Sequence, residues 1–225
     1  MTQVPTHHPS DDALLAFATG AADTPLRLML ELHLARCPRC AGAAAELAEP
    51  GAVLLRALPS AAPPPDLFEK IWTKVSAHPL PDPGGLPLPP SVLAELPPQE
   101  GWRWHPLLKK GSRSARVLRE GPGHGALFLV HLPPGSAFPR HRHVGPEASL
   151  ILAGGALDGD VVLEAGDFRA SEAGSHHAPQ ADPVEGCWFL ARVEGGDVRL
   201  RGWRGLLQRA LEAWARLRGP AVTAA

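Results

Sequence analysis

The chain has too few cysteines, and an odd number of them, for a disulfide framework: three in 225 residues, two of them forming Cys37-Pro-Arg-Cys40. It has no run of 18 uninterrupted apolar residues, which excludes a conventional transmembrane helix. The opening MTQVPTHHPSDDALL lacks the basic flank and apolar core of a signal peptide. Excess charge is missing too: 22 Lys and Arg stand against 23 Asp and Glu, a net charge of −1, which disfavours direct nucleic-acid binding. These absences point to a cytoplasmic protein whose paired cysteines bind a metal or are redox-active.

What is present describes a soluble globular chain, 44% hydrophobic and 20% charged, long enough for two modest domains. Ser10 can cap a first helix, with Asp11 and Asp12 at its positive end, an apolar stripe of Leu14, Leu15, Phe17 and Ala18, and Gly20 as the stop. Thr24 followed by Pro25 reads as the cap of a second helix running to Pro38. A third spans Cys40 to Ala48, breaks at Pro50-Gly51 and resumes weakly as AVLLRAL. Residues 59 to 98 hold 12 of the 26 prolines and read mostly as linker. One island, DLFEKIWTKVSAH, spaces Leu67, Phe68, Ile71, Trp72 and Val75 as a fourth helix closing the N-terminal domain. SVLAEL at 91–96 offers a further turn or two.

From Trp102 the texture changes to short runs punctuated by glycine: ARVLRE, GALFLVHL, ASLILAG, GDVVLEAGDFRA, EGCWFLARV and GDVRLRGW. Six or more strands so spaced predict an antiparallel sandwich or barrel. Cys187, in the CWFLARV run, is expected to be a buried small apolar residue. After Trp203 the pattern returns to an amphipathic helix. Its arginines, Arg201, Arg204, Arg209, Arg216 and Arg218, form a basic face interrupted by Glu212, which a solvated surface explains.

Two constellations carry chemistry. His141 and His143 alternate by two, so on a strand both imidazoles share a face, and Glu147 follows close by. Near the N-terminus, His33 and Cys37 are four apart on a helix, and Cys40 follows after a proline turn. Either His7 or His8 can supply a fourth tetrahedral ligand. A thioredoxin-like pair would need a βαβ context, which the helical surroundings lack, and covalent haem would need a histidine where Ala41 stands. Zinc is therefore the expected occupant, and a small domain gains folding free energy from binding it.

The run from Gly135 through His141, His143 and Glu147 to Gly154 resembles the first motif of the cupin family position for position. Gly166, Glu172, Gly174 and His177 resemble the second, with Glu172 in place of the usual proline and Ala181 in place of the usual terminal asparagine. The resemblance implies a cupin jelly roll with His141, His143, Glu147 and His177 as metal ligands, and it selects His177 over His176. This donor set suits zinc, iron, manganese or nickel.

His33-Leu-Ala-Arg-Cys37-Pro-Arg-Cys40 resembles the zinc-binding anti-sigma domain, whose pattern implies His8 as the upstream ligand, with His7 adjacent. The two parts together are similar to the ChrR-type anti-sigma factors, over about 1 to 78 and 98 to 200. The implied organisation is α plus all-β: a small zinc-binding helical bundle at 1–78, a proline-rich linker at 79–97, and a cupin at 98–225 with a C-terminal helix. The implied function is sequestration of an extracytoplasmic-function-type sigma factor and its release on oxidative stress, such as singlet oxygen or peroxide. No direct nucleic-acid or membrane partner is implied, and a homodimer through the cupin is compatible. The alternative is a metal-dependent cupin enzyme, a dioxygenase or isomerase, with the zinc domain for docking; the donor set alone does not separate the two.

Overall fold

The computed structural model describes residues 4–77, 80–107, 109–119, 121, 124–194 and 199–200. The amphipathic helix expected after Trp203, and the arginines on it, lie outside the described residues.

Helix α1 (Asp11–Ala18) starts where Ser10 accepts the Ala13 N–H and carries Asp11 and Asp12 in its first turn. Helix α2 (Thr24–Leu34) is capped one residue earlier than expected: Asp23, not Thr24, accepts the Leu26 N–H at 3.0 Å, leaving Thr24 and Pro25 inside the first turn. It ends at Leu34, short of Pro38, which instead opens α3 (Pro38–Arg56).

The expected break at Pro50 does not occur, and α3 runs through it for 19 residues. A proline removes one N–H from the helix ladder, and the alanine-rich flanks sustain the helix around that loss.

Helices α1, α2 and α3 pack together around Leu14, Leu28, Met29, Leu30 and Ala44. Helix α4 (Leu67–Ala77) forms where the spacing predicts it but buries none of its residues, so it does not close the bundle. The segment 79–97 is likewise less of a linker than its prolines suggest. It contains the short helix α5 (Pro90–Leu93), and Leu88, Val92, Leu93 and Leu96 are buried in the shared core. Glu95 also pairs with Arg27 on α2. Prolines forbid a long helix here but not apolar contact.

The remainder is an antiparallel β-structure. Its strands are β1 (Trp104–Pro106), β2 (Arg113–Arg119), β3 (Ala126–Leu132), β4 (His141–Arg142), β5 (Glu147–Asp158), β6 (Val161–Glu164), β7 (Phe168–Ser171), β8 (His176–His177), β9 (Gln180–Ala181), β10 (Cys187–Val193) and β11 (Arg199–Leu200). The larger sheet runs β1-β2-β3-β10-β5-β6, with β7 and β9 also on β5; the smaller runs β11-β4-β8.

Alternation along β3 explains how the two halves of the chain join. Leu127 and Leu129 belong to the core shared with the helices, whereas Val130 and Leu132 belong to the barrel interior. On β10, Leu190 faces the helices, while Cys187, Phe189, Ala191 and Val193 face inward. A sheet covered on both faces needs nearly continuous apolar strands, and ALFLVHL and CWFLARV are such strands. Cys187 is buried as expected, and burial pushes its thiol up to about 12.

Candidate metal centres

The N-terminal cluster is assembled at a helix junction. His33 lies in the last turn of α2, Cys37 is the N-cap of α3, and Cys40 sits in the first turn of α3. His8, just ahead of α1, places Nδ1 3.5 Å from Cys37 Sγ and 3.4 Å from Cys40 Sγ. Zinc bonds of about 2.3 Å to sulfur and 2.0–2.1 Å to nitrogen, at tetrahedral angles, put S and N about 3.5 Å apart. One donor atom from each of His8, His33, Cys37 and Cys40 lies within 4.8 Å of the others.

The protonation states suit a cation. His33 is buried with Nδ1 2.7 Å from the Gly166 carbonyl, which can only accept, so Nδ1 carries the proton and Nε2 keeps its lone pair. That Nε2 is buried without a hydrogen-bond partner. Burial lowers the His33 pKa and favours the neutral imidazole, the ligating form. Burial also pushes the Cys40 thiol up to about 11, an effect a bound cation would reverse by stabilising the thiolate. His7, the other candidate, turns away from the thiols and places Nδ1 3.3 Å from Asp167.

The second cluster lies inside the β-structure. His141 on β4 and His177 on β8 are direct cross-strand partners, His143 follows β4, and Glu147 begins β5. His141 donates Nδ1–H to the Pro139 carbonyl at 2.8 Å, and His177 donates Nδ1–H to Asp158 at 2.8 Å. Both Nε2 atoms are then lone pairs, yet they face each other at 3.0 Å. Two acceptors so close require a cation between them. Burial holds His141 down to about 4, so its ring is neutral near pH 7 and its Nε2 lone pair is available to a metal ion.

His143 is buried with neither ring nitrogen hydrogen-bonded, although Nδ1 is 3.2 Å from a Glu147 oxygen; the contact has ion-pair distance without hydrogen-bond geometry. Donor atoms of His141, His143, Glu147 and His177 lie within 4.8 Å of one another. His176, one residue earlier, is exposed. Both donor sets therefore fit a metal ion.

Comparison with known proteins bears on both parts. Residues 98–194 match the family described as the ChrR cupin-like domain. Over 193 residues, 84% of this chain and 89% of the relative, the sequence is 29% identical to the anti-sigma-E factor ChrR of Cereibacter sphaeroides. A chain in the crystal structure of Rhodobacter sphaeroides SigE in complex with the anti-sigma ChrR matches with a TM-score of 0.63 and 27% identity, over 85% of this chain and 100% of that one. The chain is similar to ChrR over most of its length.

Three carboxylates that support the ChrR-like architecture do not stand out in the sequence. Asp158 orients His177 and is itself paired with Arg169 at 2.8 Å, but in Asp158-Gly159 it reads as a hairpin turn residue. Asp167 follows Gly166 and reads the same way. Asp23 stands one residue ahead of Thr24, the cap the sequence offers, and nothing local reveals its partner across the chain, Arg192. Gly154, which closes the first ChrR-like cupin motif, has φ +67°, and a Cβ there would meet the Gly186 carbonyl oxygen at 2.1 Å.

Proposed function

We propose that this chain is an anti-sigma factor: its helical domain, 1–78, sequesters an extracytoplasmic-function-type sigma factor in the cytoplasm, and its cupin domain, 98–225, governs release. The observation that carries the reading is the similarity to ChrR, which extends through the cupin into the helices; the related chain is seen with SigE. The chain acts by binding, not catalysis. A cupin enzyme with an unrelated docking domain would not be expected to share this likeness outside the cupin, so the enzyme reading is not favoured.

Helix α4 supplies a surface for the sigma factor. Phe68 is 70% and Trp72 59% exposed, their rings stack at 6.3 Å, and Ile71 and Val75 continue the stripe. Val53, Leu54, Leu55 and Leu58 are exposed at and beyond the end of α3. An apolar helix face of this kind suits burial in a groove on a partner protein.

In this reading His8, His33, Cys37 and Cys40 hold a structural zinc that ties the N-terminal segment, α2 and α3 together. His141, His143, Glu147 and His177 hold zinc or another divalent metal, and the cupin senses an oxidative signal such as singlet oxygen or peroxide. Leu157 and Val162, paired across the β5–β6 hairpin and exposed, offer a surface for a cupin homodimer. Among the described residues, no helix is long and apolar enough to cross a membrane.

Co-expression with the sigma factor encoded beside its gene is expected to yield a stable complex and to silence that factor's promoter. Failure of both would overturn the anti-sigma reading. Metal analysis is expected to find two ions per chain, one lost on replacing Cys37 or Cys40 and the other on replacing His141 and His143. A single ion insensitive to the cysteines would overturn the N-terminal assignment.

A further inference from the structure

The N-terminal donor set is held in part from outside the helical domain. The turn between β6 and β7 of the cupin reaches it at three points. The Gly166 carbonyl accepts the Nδ1–H of His33 at 2.7 Å. The Asp167 carboxylate, 1% exposed, accepts the N–H groups of Thr6 at 2.6 Å and His7 at 2.9 Å, and is anchored in its own turn by the Glu164 N–H at 2.9 Å. The Phe168 N–H donates to the His7 carbonyl at 3.0 Å. At φ +99°, Gly166 has no room for a side chain, because a Cβ would lie 2.8 Å from Pro5 Cγ.

The residue that follows this pinned segment is His8, whose Nδ1 approaches both thiols. The same turn thus sets the tautomer of one candidate ligand and the position of another. Strand β7, which leaves the turn, pairs with β5 so that Ser171 lies opposite Glu147, a donor of the cupin cluster.

We propose that residues 164–168 of the cupin are the outer shell of the N-terminal metal site, so that the cupin determines how tightly the helical domain retains its metal. Groups behind the ligands fix ring orientation and basicity, and their loss typically weakens metal binding by about 10–100-fold. Asp167 is a positioning residue in this arrangement: it touches the segment that presents His8, not the metal. The proposal rests on the reading of His8, His33, Cys37 and Cys40 as a zinc site and gives that site a point of control.

The test uses the full-length zinc-loaded protein and follows zinc transfer to a chromogenic chelator, with the N-terminal phase identified by its absence in Cys37→Ser. Asp167→Asn disturbs the turn from the cupin side. Thr6→Pro deletes one of the donated N–H groups, and the Thr6 hydroxyl that lies against the same carboxylate, from the N-terminal side of the contact without changing a cupin residue. Both are expected to accelerate the N-terminal phase by about tenfold or more, with cupin metal content unchanged. Asp182→Asn, which weakens a separate exposed cupin turn capped through Val184 and Glu185, serves as the control and is expected to release zinc at the parent rate. Parent-like release from both test variants, or equal acceleration in the control, would overturn the proposal alone. A parent protein with no metal dependent on Cys37 and Cys40 would overturn the zinc reading beneath it as well.

Discussion

The guanidinium of Arg192 grips the carboxylate of Asp23, with Nε 2.8 Å from Oδ1 and Nη2 2.7 Å from Oδ2, joining a central cupin strand to the cap of α2. Asp23 also accepts the N–H of Gly125 at 3.0 Å, so one side chain both caps α2 and attaches it to the β-structure. Both partners are largely buried. Asp23→Ala is expected to cost about 3 kcal/mol of unfolding free energy, because it removes a cap and leaves a buried guanidinium with less compensation. Urea denaturation measures the loss, and a change below about 1 kcal/mol would count against the pair as an anchor.

The same pair gives a pH dependence of known sign. Burial works to raise the Asp23 pKa, but the hydrogen bond from Arg192 and the N–H groups of Gly125 and Leu26 outweigh it, and the carboxyl is held below its usual range. A depressed folded-state pKa contributes stability that is fully present above the unfolded value of about 3.9 and is lost as pH falls through the folded value. Urea midpoints from about pH 5 downward are therefore expected to fall more steeply for the parent than for Asp23→Asn. Parallel curves would contradict the assignment.

Asp158 fixes the tautomer of His177 by accepting its Nδ1–H. Asp158→Asn is expected to weaken metal binding at the cupin cluster by about 10–100-fold while leaving the ion at Cys37 and Cys40 in place. Metal content after dialysis against graded chelator distinguishes the two sites. Loss of both ions together, or of neither, would show that Asp158 does not act through His177.

On the proposed reading, the exposed face of α4 separates binding from stability. Trp72→Glu and Phe68→Glu are expected to abolish sigma-factor capture in a pull-down while changing unfolding free energy by less than about 0.5 kcal/mol. Leu28→Ala, in the fully buried core, is expected to cost about 2–5 kcal/mol. If the α4 variants still captured the sigma factor, its binding surface would have to lie elsewhere.

The candidate donors were legible because their spacing is local. His-x-His on a strand and His-x3-Cys-x2-Cys across a helix junction set side-chain direction within a few residues, and the glycines bracketing the cupin motifs mark where the backbone must turn. Helix α4 was legible too, but its environment was not: an apolar stripe at helical spacing looks the same whether it lies in a bundle or awaits a partner. The proline-rich stretch misled in the opposite direction, since Leu88, Val92, Leu93 and Leu96 pack without needing long regular structure.

The sequence by itself determined which residues are candidate metal donors, which runs become helices or strands, and where the chain changes from one to the other. These follow from short-range periodicity and side-chain type. Tertiary structure alone decided that His7 turns to Asp167, that Asp158 stands behind His177, and that Asp23 meets Arg192. Such contacts join residues up to 169 positions apart, and no local pattern encodes them. The contacts of Asp167 with His7 and of Asp23 with Arg192 depend on the helices covering one face of the β-sheet, which brings the carboxylates of one half of the chain to the N–H groups and guanidinium of the other.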